Sequence, residues 1–258
     1  LYDGRAINGA STLKEGQVCR AAEFDGVDDY LQIDNFSEIL KGTATLSFWL
    51  KTTQRGSNSA WNAPAVAGIE ERGGTDDIFW GWLDSSGRIG ISVGNDGSSK
   101  STRAVNDDQW HHIVLTRDAS DGKYQIFIDG ALNKEGTSTA GVIGNSFSSL
   151  GRLETTPSST ARYYQGLLDE LVVFPMVLNA GHVATIFDNQ SNDKRWDGSD
   201  AVCLLGDQVD HYGISVAATP ALTCETGEIT ITAYDDKGDP VKPAAGTKIT
   251  LTTSQTID

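Results

Sequence analysis

Short runs in which apolar and polar residues alternate, bounded by Gly, Asn, Asp and Ser, recur along most of the chain. They include YLQI (30–33), TATLSFWL (43–50), DIFWGWL (77–83), RIGISV (88–93), HHIVLTR (111–117), YQIFIDG (124–130) and LLDELVVF (167–174). A period of two sends successive side chains to opposite faces of a strand, so strands separated by turn residues predict an all-β sandwich or barrel. From Leu46 to Lys51, one face carries Leu46, Phe48 and Leu50 and the other Ser47, Trp49 and Lys51. That is the pattern of a sheet with a single core face. SSGR (85–88) and SDGK (120–123) are placed as hairpin turns, and IDGAL (128–132) as a tight turn opening a further strand. Trp80 and Trp82 are expected on one strand face, as core or groove floor. Helical spacing is confined to LNAGHVATIFDN (178–189), with Asn179 as N-cap before Val183, Ile186 and Phe187.

The pattern changes after DNQSNDKRWDGSD (188–200), which reads as a linker. Beyond it HYGISVAA (211–218), GEITITAYDD (227–236) and GTKITLTTS (246–254) predict three threonine-rich strands of an immunoglobulin-like module. Such sandwiches need about 100 residues, and the stretch has about half of that. The expected organisation is a large β domain over 1–190, a linker over 191–208 and a partial immunoglobulin-like β domain over 209–258.

Charge narrows the function classes. With 35 acidic against 20 basic residues and a net charge of -15, the chain repels polyanions, which excludes nucleic acid and anionic membrane surfaces as partners. No apolar run approaches the length that inserts into a bilayer. The chain starts at Leu1 without a signal peptide and is read as a mature or excised segment. Abundant Gly, with one Met and three Cys, suits an exported, extracellular protein. Cys19, Cys203 and Cys224 form no CxxC metal pattern. Cys203 with Cys224 would clip the linker to the second module, whereas Cys19 with Cys203 would tie the ends of the first domain together. The first pairing is favoured, because both cysteines flank one strand.

AAEFDGVDDYLQI, TATLSFWLKT, DDQWHHIVLTRD, YQIFIDGAL and YYQGLLDELVVFPMVLNAGHVATIF stand in the order and spacing of a known family. Over roughly residues 1–190 the chain resembles the concanavalin A-like jelly-roll domains called laminin G-like or pentraxin-like. RWDGSDAVC, followed by DHYGISVAATPALTCETGEITITAYD, is similar to bacterial mannose-sensitive haemagglutinin pilus biogenesis proteins of the MshQ type. The first resemblance implies two curved antiparallel sheets packed face to face, with first and last strands adjacent. The second implies a bacterial surface or pilus-associated protein.

The resemblance also implies a structural calcium beside those adjacent strands. Calcium takes six to eight oxygens, mixing carboxylates with carbonyls of a turn, and FDGVDDY supplies both. In GLLDEL, Asp169 interrupts an apolar strand, where a carboxylate is costly unless paired or coordinated. Asp25 and Asp169, with Asp28 as a third carboxylate, are therefore the expected metal ligands. The alternative for Asp169 is that it caps backbone amides of a neighbouring loop.

Catalysis is not expected. His111 and His112 point to opposite faces of a strand and cannot share a metal, and the resemblance implies that WHH is structural, with Trp110 buried. Retaining glycoside hydrolysis needs two carboxyls about 5 Å apart. Glu23 and Asp25 share a face, but Asp28 has the wrong parity and Gly26 signals a turn. The long loop 52–77 carries Trp61, Arg72, Asp76 and Asp77, and a second loop, 151–166, carries Arg152 and Tyr163. An aromatic platform with planar polar groups around it binds sugars; alternatively, Trp61 anchors its own loop. The expectation is an extracellular lectin-like adhesion module that binds a glycan or another cell-surface ligand, with calcium holding the fold. The competing reading is a non-catalytic spacer or protein-interaction domain.

Overall fold

The structure, a computed structural model, describes residues 4–94, 99–156 and 161–201 and three later strands. Contacts divide the chain into two compact units, Leu1–Ala201 and Val202–Asp258. The first unit has two sheets. One runs, edge to edge, β12 (Ala131–Thr137), β11 (Lys123–Ile128), β10 (His111–Arg117), β5 (Ala44–Lys51), β16 (Gln165–Phe174), β3 (Arg20–Asp25) and β2 (Ser11–Glu15). The other runs β1 (Gly4–Ile7), β4 (Tyr30–Ile33), β13 (Ser149–Leu150), β6 (Ala67–Glu71), β7 (Ile78–Leu83), β8 (Arg88–Val93) and β9 (Lys100–Ala104), with β14 (Arg152–Thr156) and β15 (Arg162–Tyr163) attached at β6. Neighbouring strands are antiparallel except β14 and β6, which are parallel. This is the mostly β, two-sheet, jelly-roll-like sandwich that the alternation predicts.

Leu46, Phe48 and Leu50 of β5 join Trp80, Ile89 and Ile91 of the other sheet in one buried core. The opposite face of β5 was expected to be polar and solvated, yet Ser47 and Trp49 are buried as well. The reason is α2 (Ala180–Ser191), which lies over that face; Val183 and Ile186 pack with Val114 and Phe127. Trp49 donates its indole N–H to Gln190 Oε1 at 2.9 Å and stacks on Phe187, with ring centroids 5.7 Å apart. A buried polar group needs such a partner, and an indole supplies large apolar area with one donor. Asn179 caps α2 as expected, accepting from the His182 amide at 3.0 Å. A single helical turn, α1 (Ser37–Leu40), follows β4, and no helix of the described residues is long and apolar enough to cross a membrane.

Three local departures follow from backbone irregularity and packing. A bulge at Gly81, with φ +71°, places Trp80 in the inter-sheet core and Trp82 in a second cluster with Phe79, Ala63 and Leu153 on the outer face. The two tryptophans therefore do not share a face, because an inserted residue reverses strand parity. Trp110 is half-buried, not buried. Residues 192–201, within the expected linker, fold back on the first unit: Trp196 meets Phe174 edge-on at 5.2 Å, and Asn189 Nδ2 donates to the Trp196 carbonyl.

In the second unit, β17 (His211–Val216), β18 (Ile229–Tyr234) and β19 (Pro240–Val241) form an antiparallel three-stranded sheet. The strand expected at 246–254 lies outside the described residues, as do Cys203 and Cys224. Cys19 is disulfide-bonded.

Replacing Trp49 with Ala removes a buried aromatic from the α2 interface and is expected to lower the unfolding free energy by about 3–5 kcal/mol in urea titrations.

Candidate functional site

Strand β3 ends at Asp25, and the chain crosses from one sheet to the other through residues 26–29 before entering β4. Gly26 takes φ +79°, and Asp25 Oδ1 accepts from the Val27 amide at 2.7 Å and the Asp28 amide at 3.3 Å. This is the side-chain-to-backbone turn that aspartate forms readily. The Val27 amide, with weaker help from the Asp28 and Asp29 amides, holds Asp25 below the usual carboxylate range against a smaller effect of burial. Asp29 is 5% exposed, and its Oδ2 accepts from the Asp25 amide at 3.1 Å. Gly9 leaves room for it: a Cβ there would sit 2.8 Å from Asp29 Oδ1. Asn8 Nδ2 donates to the Asp28 carbonyl at 2.8 Å.

One oxygen from each of Asp25, Asp28 and Asp29 lies within 4.8 Å of the others. None of the three forms an ion pair among the described residues; backbone amides are the donors that Asp25 and Asp29 meet. Crowded carboxylates repel unless a cation neutralises them, and an all-oxygen donor set matches calcium. The residues present thus fit that ion. They open on a cleft of about 740 Å³, bordered by Asn8, Lys51, Thr53, Asp108 and Gln165.

Asp169 does not belong to this set. Gln165 of β16 stands opposite Asp25, and Asp169 lies four residues further along the strand. Its Oδ2 accepts from the Val18 amide and its Oδ1 from the Glu170 amide, each at 2.8 Å, so it caps the turn between β2 and β3. Burial pushes its carboxyl up, and the Val18, Glu170 and Gln17 amides pull against that shift. Hydrogen bonds to that loop satisfy the carboxylate in an apolar strand, as in the capping alternative. Asp29, which was not among the expected ligands, stands beside Asp28 in the same motif; its inward fold, to 5% exposure, is not visible in the sequence.

The expected sugar-binding residues are dispersed. Trp61 is 56% exposed on a 3-10 turn, Ala60–Asn62, anchored by buried Ala60 and Ala63 and by Arg162 Nε donating to Asn62 Oδ1 at 2.8 Å. Asp76 Oδ2 accepts from the Gly144 amide and Asp77 Oδ1 from the Glu71 amide, both at 2.7 Å, so these carboxylates hold loops. Arg72 is exposed, and its amide donates to the Thr156 carbonyl. Arg152 stacks over the Tyr30 ring at 3.6 Å, and half-buried Tyr163 accepts from Gln54 through its carbonyl. Arg72, Asp76, Arg152 and Tyr163 do not line the cleft that Trp61 borders.

A model of the family Laminin_G_3, described as the concanavalin A-like lectin/glucanases superfamily, matches residues 25–184. The chain belongs to this family. A rat (Rattus norvegicus) protein, the sushi, von Willebrand factor type A, EGF and pentraxin domain-containing protein 1, is 28% identical over 115 residues, which are 45% of this chain and 3% of that protein. The match therefore spans a small part of that relative's length. Among solved structures, a mutant Trypanosoma rangeli sialidase displaying trans-sialidase activity aligns with a TM-score of 0.52 at 16% identity, over 75% of this chain and 30% of that one. The binding domain of botulinum neurotoxin DC in complex with SialylT aligns with a TM-score of 0.50 at 11% identity, over 73% and 46%. These two likenesses are likenesses of fold.

In this laminin G-type domain both strand histidines are structural. His111 lies between Asp129 and Asp107, and its hydrogen bond to Asp129, opposed by burial, raises its pKa. His112 is fully buried between Trp49 and Phe187; burial lowers it to about 4, and its Nε2 lies 3.0 Å from Ser47 Oγ under α2, away from solvent.

Glu70 follows core-facing Ile69 on β6 and so points to the outer face of the sheet. Burial, together with the neighbouring Asp77 carboxylate, pushes it up to about 7. A carboxyl raised in the folded state binds its proton more tightly there than in the unfolded chain. Its contribution to stability is therefore lost as pH rises from about 4.5 to about 7. Thermal melts across that window should show Glu70→Gln losing less stability with rising pH than the parent chain.

Proposed function

We propose that the domain is a non-catalytic, lectin-like adhesion module that binds glycans at the Asp25–Asp29 cleft with calcium bound there. It acts at the bacterial cell surface, as part of an exported, pilus-associated protein of the MshQ type. The carrying observation is the convergence of Asp25, Asp28 and Asp29 at the mouth of an open, polar cleft. Bound calcium supplies positive charge that cancels the crowding of three carboxylates and ties the sheet-to-sheet turn. Lys51, Thr53, Asn8 and Gln165 border the same cleft and offer the planar and hydroxyl groups that pair with sugar hydroxyls. The family's description as lectin and glucanase, and the neurotoxin domain in complex with SialylT, support a glycan over other ligand classes. The surface and pilus setting rests on the resemblance of the C-terminal sequence.

At the Asp25–Asp29 cleft the non-catalytic reading rests on the carboxylates there. A general acid needs a raised pKa, whereas Asp25 is held low by turn amides. Glu23, its neighbour on the strand face, pairs with Lys14 at 3.6 Å. The Ser47–His112 pair is sealed beneath α2, so no substrate reaches it.

A glycan array probed with and without calcium tests this function. The expected result is glycan retention that falls in chelator and in Asp28→Asn, with no product released from retained glycans. Silence on every glycan under both conditions would instead make the domain a spacer.

A further inference from the structure

On the outer face of the nine-stranded sheet lies a separate cleft of about 300 Å³, lined by Asn58, Ser59, Trp61, Glu70, Phe79 and Gly94. This volume is at the small end of ligand clefts. Its wall is stiff, because Ala60, Ala63 and Ala65 are buried against Phe79, Trp82 and Leu153. Loop 52–66 therefore packs on its alanines and not on its tryptophan. Trp61, 56% exposed between these anchors, makes no ring contact and donates no indole hydrogen bond among the described residues. An indole held out of its own loop, on a turn fixed from beneath, presents a flat apolar face at the rim of a polar cleft.

We propose that this cleft is a second sugar-binding subsite, independent of any cation, that takes one or two units of a neutral oligosaccharide. The C–H face of a sugar ring lies on Trp61, and a hydroxyl pairs with Glu70, backed by the Asn58 and Ser59 side chains. Aromatic faces attract the polarised C–H groups of sugars, and planar polar side chains fix the hydroxyls. The sign of the site selects against acidic sugars. Glu70 lines the cleft and Asp77 lies against it, so an anionic ligand meets carboxyl groups. In mildly acid conditions the Glu70 proton is held in a hydrogen bond to Asp77, which leaves a Glu70 oxygen to accept from a sugar hydroxyl, a role that glutamine retains and alanine loses. This subsite shares no lining residue with the Asp25–Asp29 cleft, so either can fail without the other.

Isothermal titration of the whole chain in chelator, at mildly acid pH, with xylotetraose, cellotetraose, mannotetraose and 3′-sialyllactose as probes, tests the proposal. At least one neutral tetraose is expected to bind. Its affinity should fall about tenfold or more in Trp61→Ala and in Glu70→Ala but persist in Glu70→Gln and Asp25→Asn. Because Trp61 is exposed, an unchanged melting curve for Trp61→Ala separates lost binding from lost fold. Failure of all neutral probes to bind in chelator, binding that survives Trp61→Ala, or preference for sialyllactose would each overturn the proposal.

Discussion

Strand β16 lies between β5 and β3, so the last strand of the sandwich is hydrogen-bonded to one of the first, and the site depends on that insertion. Midway along it a bulge between Asp169 and Val172, with Glu170 at φ +47°, turns two consecutive acids to different tasks. Asp169 caps the turn between β2 and β3, and Glu170 accepts from Gln190 of α2 at 3.1 Å. Burial raises both carboxyls, a cost offset by donors from the elements they hold. One strand thereby fixes the N-terminal hairpin, the closing helix and, through Gln165 opposite Asp25, the wall of the acidic cleft.

The cleft stands at an edge because the chain changes sheets there. Thr52 donates to the Gln165 carbonyl at 2.6 Å, which ties the end of β5 to the start of β16 beside the Asp25 turn. Rigid strands thus support a turn whose own geometry is set by the Asp25 side chain and Gly26. The outer cleft is built differently: a long loop is held down by small buried residues, leaving its one tryptophan at the surface.

Much of the fold was legible because burial enforces a period of two. The alternation in β5, the Asn179 cap and the order of family motifs all reflect constraints local in sequence. What stayed hidden involves long-range or irregular features. The bulge at Gly81 separates Trp80 from Trp82, and α2 buries the face of Trp49 that alternation assigned to solvent. Carboxylates misled for one reason: Asp76, Asp77 and Asp169 satisfy backbone amides distant in sequence or across a turn, and sequence shows an acid without showing the amide it serves. Of the acidic motif, the turn was recognisable, but the inward packing of Asp29 against Gly9 depends on a turn twenty residues away.

The central claim is that three carboxylates of one turn, and not the acid of β16, make a cation site that supports glycan binding. Calorimetric titration of calcium into chelator-stripped protein tests it directly. The account predicts a single binding isotherm that disappears in Asp29→Asn and persists in Asp169→Asn. No heat of binding in the parent chain, or an isotherm lost in Asp169→Asn and kept in Asp29→Asn, would contradict it.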